Sequence, residues 1–144
     1  MVLFCEPYYV APKQCLILCA DDDPDDQLHM METIREIDPS IKLLSVSDGK
    51  EALYLLQTFK EANVLPDLII LDINMPRMDG KQALAKIKKD PILKQIPAVL
   101  FSTSGHNIDK MFGAKHSTQL VTKPVSLHEF KLAVQHMLGM IAAF

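Results

Sequence analysis

Four groups of residues in this chain carry side chains able to do chemistry together, and each directly follows a short apolar run. Asp72 ends the run Leu68-Ile-Ile-Leu71, and Asn74, Pro76 and Gly80 follow, so the backbone breaks soon after the carboxylate. A buried parallel strand that stops this way delivers its acid to the carboxyl edge of a sheet, where open α/β folds bind ligands. A carboxylate there can serve as a nucleophile, a metal ligand or a helix cap. Asp21 and Asp22 follow the apolar residues 15–20. Adjacent carboxylates near a third one repel each other unless a cation neutralises them. Magnesium suits such a site, because it prefers hard oxygen ligands and retains water. Capping of the next helix is the alternative for this pair, and for Asp25 and Asp26 it is the expected role. Ser102 and Lys123-Pro124 close two further apolar runs. Taken singly, such a serine is an ordinary turn residue and such a lysine an ordinary solvated one.

These residues need a scaffold that brings distant strand ends together, and the hydrophobic pattern supplies one. Strands are expected at residues 15–20, 41–46, 68–73, 98–101 and 119–122. Helical spacing separates them. Leu28, Met31, Ile34 and Ile37 mark a first helix, stopped by Asp38-Pro39, and Ala52, Leu53, Leu55, Leu56 and Phe59 mark a second. Ala83, Leu84 and Ile87 mark a third over residues 80–89, with Asp79 as its N-cap. A weaker fourth covers residues 107–115. The fifth opens on Ser126 and Glu129, the pattern of a capping box. Alternating β and α elements imply an α/β, doubly wound, five-stranded parallel sheet with helices on both faces.

Composition bounds what such a domain can do. The net charge of -3 offers no basic excess to neutralise phosphates, so no nucleic-acid partner is expected. No apolar stretch is long enough for a membrane span, and the N-terminus lacks the basic start of a secretory signal, so the cytoplasm is the expected location. The three cysteines, Cys5, Cys15 and Cys19, lack partners at metal-binding spacing, and Cys15 and Cys19 read as core thiols. The five histidines, His29, His106, His116, His128 and His136, are scattered and carry no expected catalytic role. The segment Met137 to Phe144 is apolar; packing against the domain is the expected reading and a homodimer contact the alternative. Phe4, Tyr8 and Tyr9 pose the same choice.

The ordered set of acidic pair, lone aspartate, hydroxyl and Lys-Pro resembles the receiver domain of two-component response regulators, in the style of the stand-alone, chemotaxis-type members. Its most specific piece is Leu71-Asp-Ile-Asn-Met-Pro-Arg-Met-Asp-Gly80. The likeness spans residues 14–138 and leaves 1–13 as an N-terminal extension and 139–144 as a C-terminal tail. It implies a flavodoxin-like sheet with strand order 2-1-3-4-5. It also implies that Asp72 accepts a phosphoryl group from a sensor histidine kinase or phosphotransfer protein. Asp22, Asp72 and the backbone carbonyl of Asn74 would hold Mg2+ or Mn2+, with Asp21 acting mostly through water. Ser102 and Lys123 would bind the phosphoryl oxygens, and the bond before Pro124 would be cis.

The chain departs from the family pattern at Leu120, which stands at the usual switch-aromatic position, and in a slightly short stretch between Ser102 and Lys123. Thr103 stands where a smaller residue is common, with crowding of the phosphoryl site as the expected effect. The implied function is a single-domain response regulator that signals by protein contacts, to a downstream protein the sequence does not identify, or by phosphorelay. Two alternatives remain: a phosphorylation-independent binding module, and a magnesium-dependent aspartyl-phosphate phosphohydrolase. Against the second stands Asn74, where such enzymes place a second aspartate as acid and base.

Overall fold

A computed structural model describes residues 13–103 and 105–141. The chain alternates β1 (Leu16–Ala20), α1 (Pro24–Ile37), β2 (Lys42–Val46), α2 (Gly49–Glu61), β3 (Leu68–Leu71) and α3 (Gly80–Lys89). It continues through a 3-10 turn (Leu93–Gln95), β4 (Ala98–Ser102), α4 (Asn107–Lys115), β5 (Gln119–Thr122) and α5 (Leu127–Leu138). The strands form one parallel sheet in the order β2-β1-β3-β4-β5, as expected.

Strand alternation splits the core into two layers. Leu18, Ala20, Ile69, Leu71 and Leu100 pack on one face with Ala52 and Leu56 of α2 and Ala83, Leu84 and Ile87 of α3. Ile17, Cys19, Ile70, Val99 and Phe101 pack on the other with Met30 and Ile34 of α1 and Phe130, Val134 and Met137 of α5. Every residue of β3 is buried, which explains its unbroken aliphatic run: a central parallel strand is covered on both faces. Ile141 also packs into the second layer, so the chain beyond α5 turns back onto the domain. Residues 142–144, and Phe4, Cys5, Tyr8 and Tyr9, lie outside the described residues.

Helix starts follow their side-chain chemistry. Asp23 caps α1, Asp48 caps α2, and Asp79 forms a reciprocal capping box with Gln82 on α3. Ser126 accepts a bond from the Glu129 N–H at 3.1 Å, but the return bond of the expected box is not formed, and Glu129 is left exposed to water. The apolar stripe of α1 is also rotated from expectation. Met30, Thr33 and Ile34 are buried, whereas Leu28 faces outward, because α1 turns its inner face to α5, where His29 stacks on Phe130.

The sheet register places the chemistry. Ala20 lies opposite Leu71, so Asp21 and Asp72 leave neighbouring strands side by side, and the Asp72 N–H donates to the Ala20 carbonyl at 2.9 Å. Ser102 lies opposite Thr122, and the Lys123 N–H donates to the Ser102 carbonyl at 2.9 Å. All four groups therefore meet at one sheet edge.

Gly80 lets the chain turn directly behind Asp72. A Cβ at this position would sit 2.0 Å from the Asp72 carbonyl oxygen and 3.1 Å from the Ile73 Cα. Both are backbone atoms, so no rotamer change relieves the clash. Gly80→Ala is expected to cost about 3 kcal/mol, the upper end of the usual overpacking range. Chemical denaturation checks this, and an unchanged unfolding midpoint would contradict the close approach.

Candidate functional site

Asp21 and Asp72 end adjacent strands as buried carboxylates, while Asp22 on the β1–α1 turn is exposed. One oxygen from each of Asp21, Asp22 and Asp72 lies within 4.8 Å of the others. Three hard, anionic oxygen donors at this spacing fit a divalent cation such as Mg2+ or Mn2+. Asn74 follows on the same loop, and its N–H approaches an Asp72 carboxylate oxygen at 3.4 Å. Its side chain is exposed, consistent with a residue that would serve the site through its backbone.

Lys123 is the cation already in place. Its ammonium donates to Asp21 at 2.6 Å, to Asp26 at 2.9 Å and to Asp72 at 3.3 Å. Its side chain is only 8% exposed, so carboxylates stand in for the water it has lost. Burial alone would push the Lys123 ammonium down. The hydrogen bonds to Asp21 and Asp26 and the nearby Asp72 charge outweigh burial and hold it above its usual value. Burial pushes the Asp21 carboxyl up, against the pull of Lys123 and of the Asp23 N–H. The lysine therefore stays charged.

Asp26 is the member that sequence reasoning missed. The sequence points there to a helix-end charge, which Asp26 also is, since it lies in the first turn of α1. The structure adds its contact with Lys123. Pro24 begins the helix at once, so Asp26 lies in its first turn, close to the strand end.

The expected cis bond is not found. Among the described residues every peptide is trans, including that between Lys123 and Pro124. Trans is the default even before proline, and Lys123 reaches all three carboxylates from it.

Ser102 is fully buried at the end of β4, beside the strand that delivers Lys123. Thr103, expected to crowd the site, is exposed on the wall of an open polar cleft of about 430 Å³ shared with Asn74, Lys81, His106 and Asp109. Leu120 is half-buried on β5 opposite Leu100 and packs into the first core layer. A salt bridge from Lys81 to Asp109, at 2.8 Å, ties α3 to the short α4.

A second pairing holds the loop after Asp72. Asp48 is fully buried and accepts hydrogen bonds from the Glu51 N–H at 2.9 Å and the Arg77 Nε at 2.7 Å. Those donors hold its carboxyl below the usual carboxylate range, the Glu51 N–H contributing most and overcoming burial. Arg77 has a φ of 62°, an uncommon backbone region for a non-glycine residue, and the ion pair helps hold it there. The Gly49 N–H adds a bond to the Met78 carbonyl at 2.9 Å. Neither residue of this clasp was legible as a pair, since nothing in their spacing links them.

Two of the histidines pack against aromatic rings. His29 stacks on Phe130 with ring centroids 3.9 Å apart, and His116 leans on Phe112. Cys15 and Cys19 are free thiols. Burial, aided by the Asp21 charge, pushes the Cys19 thiol up to about 12, so it is inert at neutral pH. Among the described residues no helix is long and apolar enough to cross a membrane.

Comparison with known proteins finds relatives over most of the chain. Residues 17–135 match the model of the response regulator receiver domain. Response regulator Rcp1 of Synechocystis is 34% identical over 86% of each chain. The sensor histidine kinase CheAY of Helicobacter pylori is 29% identical over 81% of this chain and 14% of its own length. Among solved structures, the phosphorylated cyanobacterial phytochrome response regulator RcpA superposes with a TM-score of 0.81 at 31% identity, covering 90% of this chain and 94% of that one. The Mn2+-bound form of Rcp1 gives 0.79 at 29% identity, covering 90% and 96%.

Replacing the central cation tests the electrostatic reading. Lys123→Met leaves Asp21, Asp26 and Asp72 facing one another and is expected to cost up to about 3 kcal/mol in metal-free solution. Added Mg2+ should raise the melting temperature of this variant more than that of the wild type. Equal shifts would show that the metal and the lysine do not share the same carboxylates.

Proposed function

We propose, because the chain belongs to the response regulator receiver family, that it stores a signal as a phosphoryl group on Asp72. The observation that carries this reading is the placement of the Asp72 carboxylate at once among the metal-fitting trio and within 3.3 Å of the Lys123 ammonium. An Asp72 oxygen attacks the phosphorus of a phosphohistidine on a sensor histidine kinase or phosphotransfer protein. The P–N bond breaks, a P–O bond forms, and the departing imidazole takes up a proton. Lys123 and the Ser102 hydroxyl bind the phosphoryl oxygens, so the protein's part is positioning and charge neutralisation.

Asp21, Asp22, Asp72 and the Asn74 backbone carbonyl would hold Mg2+ or Mn2+, which supplies positive charge where phosphoryl oxygens gather. The manganese in the Rcp1 structure and the phosphorylated state of RcpA support this reading. Output runs through protein contacts or onward phosphoryl transfer, in the cytoplasm. Asn74 offers no proton to a leaving group, so the chain is not an enzyme beyond its own phosphorylation and dephosphorylation.

Intact-mass measurement after incubation with Mg2+ and acetyl phosphate tests the proposal. The wild type should gain one labile phosphoryl group and Asp72→Asn none. A wild type that stays unmodified, or a variant that is modified equally, would overturn it. Repeated turnover of the donor would point instead to a phosphohydrolase.

A further inference from the structure

We infer that Asp26 is a positioning residue that restrains Lys123 and so slows phosphoryl acceptance at Asp72. This rests on the phosphoacceptor reading of Asp72 and concerns a residue outside the acid trio.

A lysine ammonium has three donors and no acceptor. Here Asp21, Asp26 and Asp72 occupy all three, and the buried side chain leaves little access to water. The distances are unequal. Lys123 lies closest to Asp21 and Asp26, at 2.6 and 2.9 Å, and farthest from the acceptor Asp72, at 3.3 Å. An incoming phosphoryl group brings new anionic oxygens, and Lys123 can bind one only by giving up a carboxylate. Asp21 is buried and also held by the Asp23 N–H at 3.0 Å. The Asp26 side chain is 37% exposed and sits in the first turn of α1, where water and the helix N-terminus stabilise it without the lysine. Movement of the ammonium toward a phosphoryl group on Asp72 lengthens its two closer contacts, and of these the one with Asp26 is the more readily released. The hold of Asp26 on the resting lysine adds to the work of reaching the phosphorylated state.

Three variants and two measurements decide the matter. The rate of modification by acetyl phosphate and the affinity for beryllium fluoride, an unreactive phosphoryl mimic, are read at saturating Mg2+. Asp26→Asn should be modified several-fold faster and bind the mimic several-fold tighter than the wild type. Asp26→Glu, which keeps a carboxylate for the lysine, should stay near the wild type. Asp25→Asn removes the same charge from the neighbouring exposed position, and should change neither reading. Melting curves confirm that each variant is folded.

An Asp26→Asn protein no faster and no tighter than the wild type would overturn the restraint, as would equal effects from Asp25→Asn. A wild type that takes neither phosphate nor mimic would overturn the phosphoacceptor reading, and the restraint with it.

Discussion

One ammonium balancing converging carboxylates is the constraint on which the rest of this structure depends. Parallel strands end together, so a sheet edge that gathers Asp21, Asp22 and Asp72 concentrates negative charge in partly buried surroundings. Such a cluster is unfavourable unless cations neutralise it. Lys123 meets that need from the far strand β5, whose pairing with β4 brings it to the same sheet edge. A divalent cation would add to the same balance from the solvent side, where Asp22 is exposed.

The scaffold around this cluster is built to hold loops rather than strands. Gly80 fits against the backbone of Asp72 with no space for a side chain. Asp48 and Arg77 clasp the following turn to the start of α2, and Gln27 ties the backbone of Asp21 to the end of β2. Each contact lies at or beyond a strand end, where ladder hydrogen bonds give out. Side-chain bonds fix the chain there instead.

Much of this was legible in the amino-acid order. Aliphatic runs ending in Asp, Ser or Lys mark strands that stop at a polar edge, and helical spacing between them implies a parallel sheet, whereas the strand order was implied only by the family resemblance. The bounds of α3, α4 and β5 match the expected ranges because Asp79, the turn after Lys115 and Thr122 punctuate them clearly. What could not be read was rotation. The run Asp21 to Asp26 contains more acids than the site uses, and periodicity alone leaves open which of them turns toward the sheet. The same uncertainty in phase moved Leu28 outward and hid Asp26. The Asp48–Arg77 pair was hidden for another reason, since two loops meet only once the fold exists. Leu120 was visible as a departure, and its place in the first core layer shows it acting as packing.

The contacts of Lys123 tie residues far apart in the chain, and this shapes local stability. β5 is an edge strand with no fully buried residue, while β1 and β3 lie at the centre of the sheet. On its own such an edge belongs to the part of a domain that opens first, exposing its amides to hydrogen exchange. The ammonium at its end is anchored to the two central strands and to α1. Opening of β5 therefore strips the acid cluster of its cation, so this strand can fray only by exposing unbalanced charge at the ends of β1 and β3. In this way, the chemistry of the site also acts as a clamp on the weakest strand of the fold.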